Sequence, residues 1–160
     1  MEIIYRTLFI SSLFAIFYQD IKERKVYLFL FISGIFFGSL LYYLNSFAEI
    51  FLINIAINIS VISIIYLMLF LYAKIILRKK LSDTIGLGDF LFFLLLATSF
   101  PAFTFLVLFS TSLIFSLLLF LILKSSFKIK TIPLAGLQAF FLSLVLILNW
   151  FFNFVNIYAL

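Results

Sequence analysis

Cysteine and histidine are both absent from this chain of 160 residues, and Asp and Glu together number only six. Without cysteine there can be no disulfide and no thiolate nucleophile. Without histidine there is no imidazole base, and Cys/His zinc sites and His-ligated haem are excluded with it. No metal or cofactor is expected. Charged residues make up 11% of the chain, against roughly 25% in soluble domains. Any catalysis must therefore run on carboxylates, hydroxyls or lysines.

What the chain has in abundance is apolar surface: 67% of its residues are hydrophobic. A bilayer solvates such side chains where water cannot. A spanning helix takes about 20 apolar residues, so the length predicts an all-α polytopic bundle of about six spans, without a separate globular domain. The apolar segments run roughly over 3–19, 26–44, 50–73, 85–100, 103–123 and 132–158. The first resembles a signal peptide only loosely, because it lacks a basic start and a small-residue cleavage site. It is read as the first span.

Arg6 apart, every Lys and Arg falls in alternate connections: 20–25, 74–84 and 124–130. The turns near 45–49 and 98–102 have none. Cytoplasmic loops retain basic residues, so these three loops are expected in the cytoplasm and both termini outside, in a multi-pass cell (inner) membrane protein. Arg6 is expected to snorkel to the headgroups. The net charge of +5 is then topological, membrane lipid is the natural partner, and no nucleic-acid partner is expected. Gly34 and Gly38 form a GxxxG, with Ser112 and Ser116 a weaker equivalent. Both are read as helix packing within the bundle. Asn54 and Asn58 are expected to hydrogen-bond neighbouring helices.

Carboxylates near membrane depth cost about 2.5–3.5 kcal/mol at a helix centre. Glu2 and Glu49 fall in outer turns, and Glu23 and Asp83 among basic loop residues, so each is read as solvated. Asp20 and Asp89 differ. Asp20 closes the first span and Asp89 opens the fourth, within Gly86-Leu87-Gly88-Asp89. The charge pattern puts both at the cytoplasmic ends of their helices, on one membrane level. Two neighbouring carboxylates share a proton, because like charges a few ångströms apart cannot both ionise. The ionised member can activate water while the protonated member donates to a carbonyl oxygen. Gly86 and Gly88 would let the backbone take uncommon conformations and let an extended substrate approach. The other reading is a loop before a helix, with Asp89 capping its first turn.

The GLGD at 86–89, with Asp20 after the first span, resembles the GxGD motif of intramembrane aspartyl proteases, and in particular type IV prepilin and archaeal preflagellin peptidases. Ile132-Pro133-Leu134-Ala135-Gly136-Leu137 resembles the proline-containing segment that opens that family's last helix. Presenilin-like proteases share GxGD, but they use more helices and place their aspartates on adjacent spans. The resemblance implies catalytic Asp20 and Asp89, an active-site loop with Gly86 and Gly88, and Pro133 lining the site. It implies removal of a short basic leader from a prepilin-like substrate at the cytoplasmic face. Val26-Tyr27-Leu28 stands where the family usually has Ile-Pro-Asn, and Leu91 where it often has lysine. The cysteine-paired insert of the larger enzymes is missing, so methylation is not implied. Two other readings stay open: a pilin-helix-binding membrane protein without activity, and a small proton- or ion-coupled transporter. An S-x-x-K at Ser125–Lys128 is read as chance, since a lysine in a basic loop stays charged.

Overall fold

The computed structural model describes residues 1–78, 86–127 and 133–158. Asp83, Lys79, Lys80, Lys128, Lys130 and Ile132 lie outside the described residues, and with Lys128 the completion of the S-x-x-K. The described residues are all-helical, with no strand among them. Six α-helices follow one another: α1 (Glu2–Glu23), α2 (Leu28–Leu44), α3 (Ala48–Tyr72), α4 (Leu87–Ser99), α5 (Ala102–Phe127) and α6 (Leu134–Phe152). A π-helical turn at Ala73–Leu77 extends α3. Counted through that turn, Ala48–Ile76 is long and apolar enough to cross a membrane, as are Ala102–Ile122 and Leu134–Phe152. These lengths mark a membrane protein. α2 and α4 are shorter, at 17 and 13 residues.

The helix ends follow local chemistry. α1 carries Glu2 in its first turn and Lys22 in its last, each matched to the helix dipole. It stops at Arg24, which turns left-handed at φ 56° and returns its N–H to the Asp20 carbonyl. The Tyr27 N–H then donates to Gln19 Oε1 at 3.1 Å, tying the start of α2 to the end of α1. Between α4 and α5 stands Pro101. The residue before a proline is pushed out of the helical region, and Phe100 is extended (φ −141°, ψ 152°). The Pro101 carbonyl accepts the Phe105 N–H to start α5. Pro133 does the same for α6, accepting the Leu137 N–H.

α4 is central, touching α2, α3, α5 and α6, while α1 lies between α2 and α6. The GxxxG glycines serve these contacts. A Cβ on Gly34 would stand 2.5 Å from Leu95 Cδ1, and one on Gly38 would stand 2.9 Å from Ser99 Cβ and 3.0 Å from Phe9. Both glycines thus bring α2 against α4 and α1.

The interior is more polar than the surface at several points. On α3 the buried residues are Asn54, Asn58 and Ile62, while Leu52, Ile53, Ile64, Leu67 and Met68 are exposed. Such an inside-out pattern belongs to a helix whose outer face meets lipid. Asn58 donates to the carbonyls of Ala97 and Phe100, each at 2.9 Å. Asn54 Oδ1 accepts the Ala102 N–H at 3.0 Å. The two asparagines therefore satisfy the backbone groups freed where α4 gives way to α5. On the far side, Gln138 of α6 donates to Ser112 of α5 at 3.2 Å.

Several expected boundaries shift: α1 runs to Glu23 and α5 to Phe127, past the ends expected at 19 and 123. The last apolar segment was expected to run to 158, yet α6 ends at Phe152. Asn153 adopts a left-handed conformation (φ 49°) and its N–H bonds the Asn149 carbonyl, so the helix terminates although Phe154, Val155 and Ile157 continue the apolar run. Hydropathy does not register a cap. The fourth segment, expected over 85–100, is helical from Leu87 to Ser99, Phe100 being drawn out of helix by Pro101.

Candidate active site

The N-terminus of a helix leaves several backbone N–H groups without intrahelical acceptors. At the start of α6 two of these are Ala135 and Gly136. The Ala135 N–H donates to Asp89 Oδ1 at 3.0 Å, and the Gly136 N–H donates to Asp20 Oδ2 at 2.6 Å. Two carboxylates from α1 and α4, 69 positions apart in sequence (89 minus 20), thus meet on consecutive amides of a third helix. They are close enough to act on one another electrostatically. Both side chains are half-buried.

Each acid is delivered by its own helix. Asp20 lies in the last turn of α1, with the Arg24 guanidinium as its nearby cation. Asp89 is the third residue of α4, after Gly86 as N-cap. From there its carboxylate lies against the Gly86 backbone, where the reaching-back acid of a capping box sits. The two readings of Asp89 from sequence, cap and site residue, are therefore compatible: the same carboxylate reaches both Gly86 and Ala135.

The approach of α1 to α6 depends on a missing side chain. A Cβ on Gly136 would lie 2.8 Å from Asp20 Cβ and 2.9 Å from Asp20 Oδ2. Nothing larger than hydrogen fits there without displacing Asp20. A Cβ on Gly86 would be 3.3 Å from Asp89 Oδ2, tight but yielding, whereas one on Gly88 would make only ordinary contacts with Phe31 (3.8 Å) and Ala135 (3.9 Å).

The expectation of uncommon glycine conformations at 86 and 88 is not met. No glycine among the described residues has positive φ. Gly86 is extended (φ −71°, ψ 146°) and Gly88 lies within the first turn of α4. Their contribution here is spatial: Gly86 is exposed and Gly88 partly so, which keeps the surroundings of Asp89 open. Pro133 is buried at the N-cap position of α6, immediately before the amides that hold the acids.

Gly136 itself was visible in sequence only as part of the proline segment, with no hint that its amide takes Asp20. Tyr66 gave no signal at all. It reaches the same region from α3, its ring edge-on to Phe90 at 4.8 Å, and its buried hydroxyl has no hydrogen-bond partner among the described residues. One of two tyrosines in a largely apolar helix, it carries no pattern by which to find it. Among the described residues no group of His, Cys, Asp or Glu is suited to hold a metal ion. Comparison of the chain with protein-family models, with curated proteins and with solved structures finds no match.

Proposed function

We propose that this chain is an intramembrane aspartyl endopeptidase that removes the leader of a prepilin-like membrane protein at the cytoplasmic face. The observation that carries this reading is the meeting of Asp20 and Asp89 on the consecutive N–H groups of Ala135 and Gly136. In this reading α1 to α6 all cross the membrane, the basic loops face the cytoplasm, and the α6 N-terminus lies at that face.

The shared site gives each acid a role. One carboxylate is ionised and takes a proton from water, whose oxygen adds to the scissile carbonyl. The other is protonated and donates to the carbonyl oxygen as charge develops on it. Collapse of the tetrahedral intermediate breaks the C–N bond, and the amine leaves with a proton from the pair. The pair titrates as a unit, so the roles belong to the dyad rather than to a named member. The α6 amides hold one oxygen of each acid, which keeps the carboxylates oriented before substrate arrives. The exposed Gly86 and the partly exposed Gly88 let an extended segment approach Asp89. The hydrophobic helix that follows the leader in such substrates would lie against the lipid-facing side of the bundle, leaving the junction at the dyad.

Asp20→Asn and Asp89→Asn test this directly. Each replacement is isosteric and retains an oxygen to accept the α6 amide. Incubated in membranes with a precursor bearing a basic leader and an apolar helix, each variant should lose cleavage by a factor of about 10³ or more and still insert normally. Cleavage by the parent chain that persists in Asp89→Asn would refute the dyad. A parent chain that retains the precursor but yields no product would make it a pilin-helix binder instead.

A further inference from the structure

At the other end of the bundle, where α1 begins and α6 ends, the structure forms a half-open cavity of about 300 Å³. Arg6 and Asp20 are 14 positions apart on one helix, about 21 Å at 1.5 Å per residue, so this cavity is separate from the carboxylate site. Its wall includes Arg6, Asn149, Trp150, Asn153, Asn156 and Tyr158. The segment after α6 forms one side. The left-handed turn at Asn153 sends it back across the bundle, and Tyr158 anchors it by stacking on Tyr42 (6.3 Å) and Phe100 (6.0 Å).

Two asparagines of this wall, Asn149 and Asn156, are left with donors, whereas Asn45, also in the wall, spends its –NH₂ on Glu2 Oε1 and the Leu41 carbonyl and keeps an acceptor oxygen. Asn149 Oδ1 accepts the Val155 N–H at 3.1 Å, and Asn156 Oδ1 accepts the Tyr158 N–H at 3.2 Å. A backbone N–H can only donate, so these bonds fix both amides with oxygen toward the chain. The remaining –NH₂ groups are donors. Arg6 offers donors alone, and its Nε has no hydrogen-bond partner among the described residues. One acid stands nearby. Glu2 is half-exposed, 3.9 Å from Arg6 Nη2, and it accepts from Asn45 at 2.6 Å. An ion pair of that length and exposure is weak, and Glu2 is not part of the wall. Arg6 therefore keeps its charge available to the cavity.

A pocket of this volume suits a small ligand or headgroup. A cation with donor amides around it, beside a tryptophan at the end of a membrane helix, matches a phosphate at the headgroup level. We propose that the cavity binds a phosphate-bearing anion, in the membrane the headgroup of an anionic phospholipid. This assignment is independent of what Asp20 and Asp89 do.

Trp150 is the only tryptophan in the chain and lines the cavity, so its fluorescence reports occupancy. The purified full chain in detergent micelles is titrated with phosphatidylglycerol, with phosphatidylcholine and with inorganic phosphate. A saturable change with phosphatidylglycerol is expected, with half-saturation at least about tenfold weaker in Arg6→Gln. Arg6→Lys should recover part of the loss. Asn149→Asp keeps an acceptor for the Val155 N–H but turns the donor into a negative charge, and it should weaken binding as much as Arg6→Gln. Saturation by phosphatidylglycerol alone assigns the lipid as the source; saturation by inorganic phosphate as well supports a phosphate site open to water. Equal responses to the two lipids that Arg6→Gln leaves unchanged, or no saturable response, overturn the proposal.

Discussion

The two ends of α6 meet opposite chemistry. At its first turn the helix offers free N–H groups, and two carboxylates from α1 and α4 accept them. Beyond its last turn an arginine and asparagine amides gather around a cavity with their donors left over. The dipole of the helix favours acids at the first end. At the other end the Asn153 N–H caps the Asn149 carbonyl. One bundle thus keeps a pair of carboxylates and a lone arginine with amide donors apart by the length of a helix.

The comparison breaks if the ends depend on one another. Asp20→Asn should abolish cleavage yet leave the response of Trp150 to phosphatidylglycerol at its parent midpoint, and Arg6→Gln should do the reverse. A parallel loss at both ends in either variant would point to a global defect, which helix content by circular dichroism would reveal. Gly136→Ala comes next in size. Its methyl group must push Asp20 from the amide, so a fall in cleavage of about tenfold to a hundredfold is expected, with a stability loss of about 1–3 kcal/mol for overpacking. Unfolding in detergent checks the second figure. Asn58→Ala lies between the ends and removes two hydrogen bonds to the α4 terminus. It should cost about 1 kcal/mol of stability, the ordinary scale for such bonds inside a membrane protein. Smallest of all is Gly88→Ala, whose methyl finds only ordinary contacts. Stability should stay within about 0.5 kcal/mol; a large drop in cleavage at unchanged stability would show that substrate occupies the space beside Gly88.

The same contrast governs what could be read from sequence. Helices α1 to α6 are legible as apolar runs punctuated by charge or, between α4 and α5, by Pro101, and Asp20 and Asp89 stand out because acids are rare in such runs. The α6 amides are not legible, because backbone donors belong to every residue. That Gly136 is the point of closest approach depends on how α1 crosses α6, which no local pattern encodes. The cavity around Arg6 was illegible for a different reason. Its asparagines lie in a stretch that hydropathy merges into the last span, and only the Asn153 cap reveals that the chain turns back there. Asn54 and Asn58 were visible as polar residues one turn apart, but their acceptors at the α4–α5 corner were not.

Gly136 gives this arrangement a particular sensitivity. The atom it turns toward Asp20 is a hydrogen, so at this height two helices are separated by the thinnest spacer a polypeptide can supply. Every other amino acid at that position thickens it. The neighbourhood of the acids is therefore gauged by a residue with no functional group.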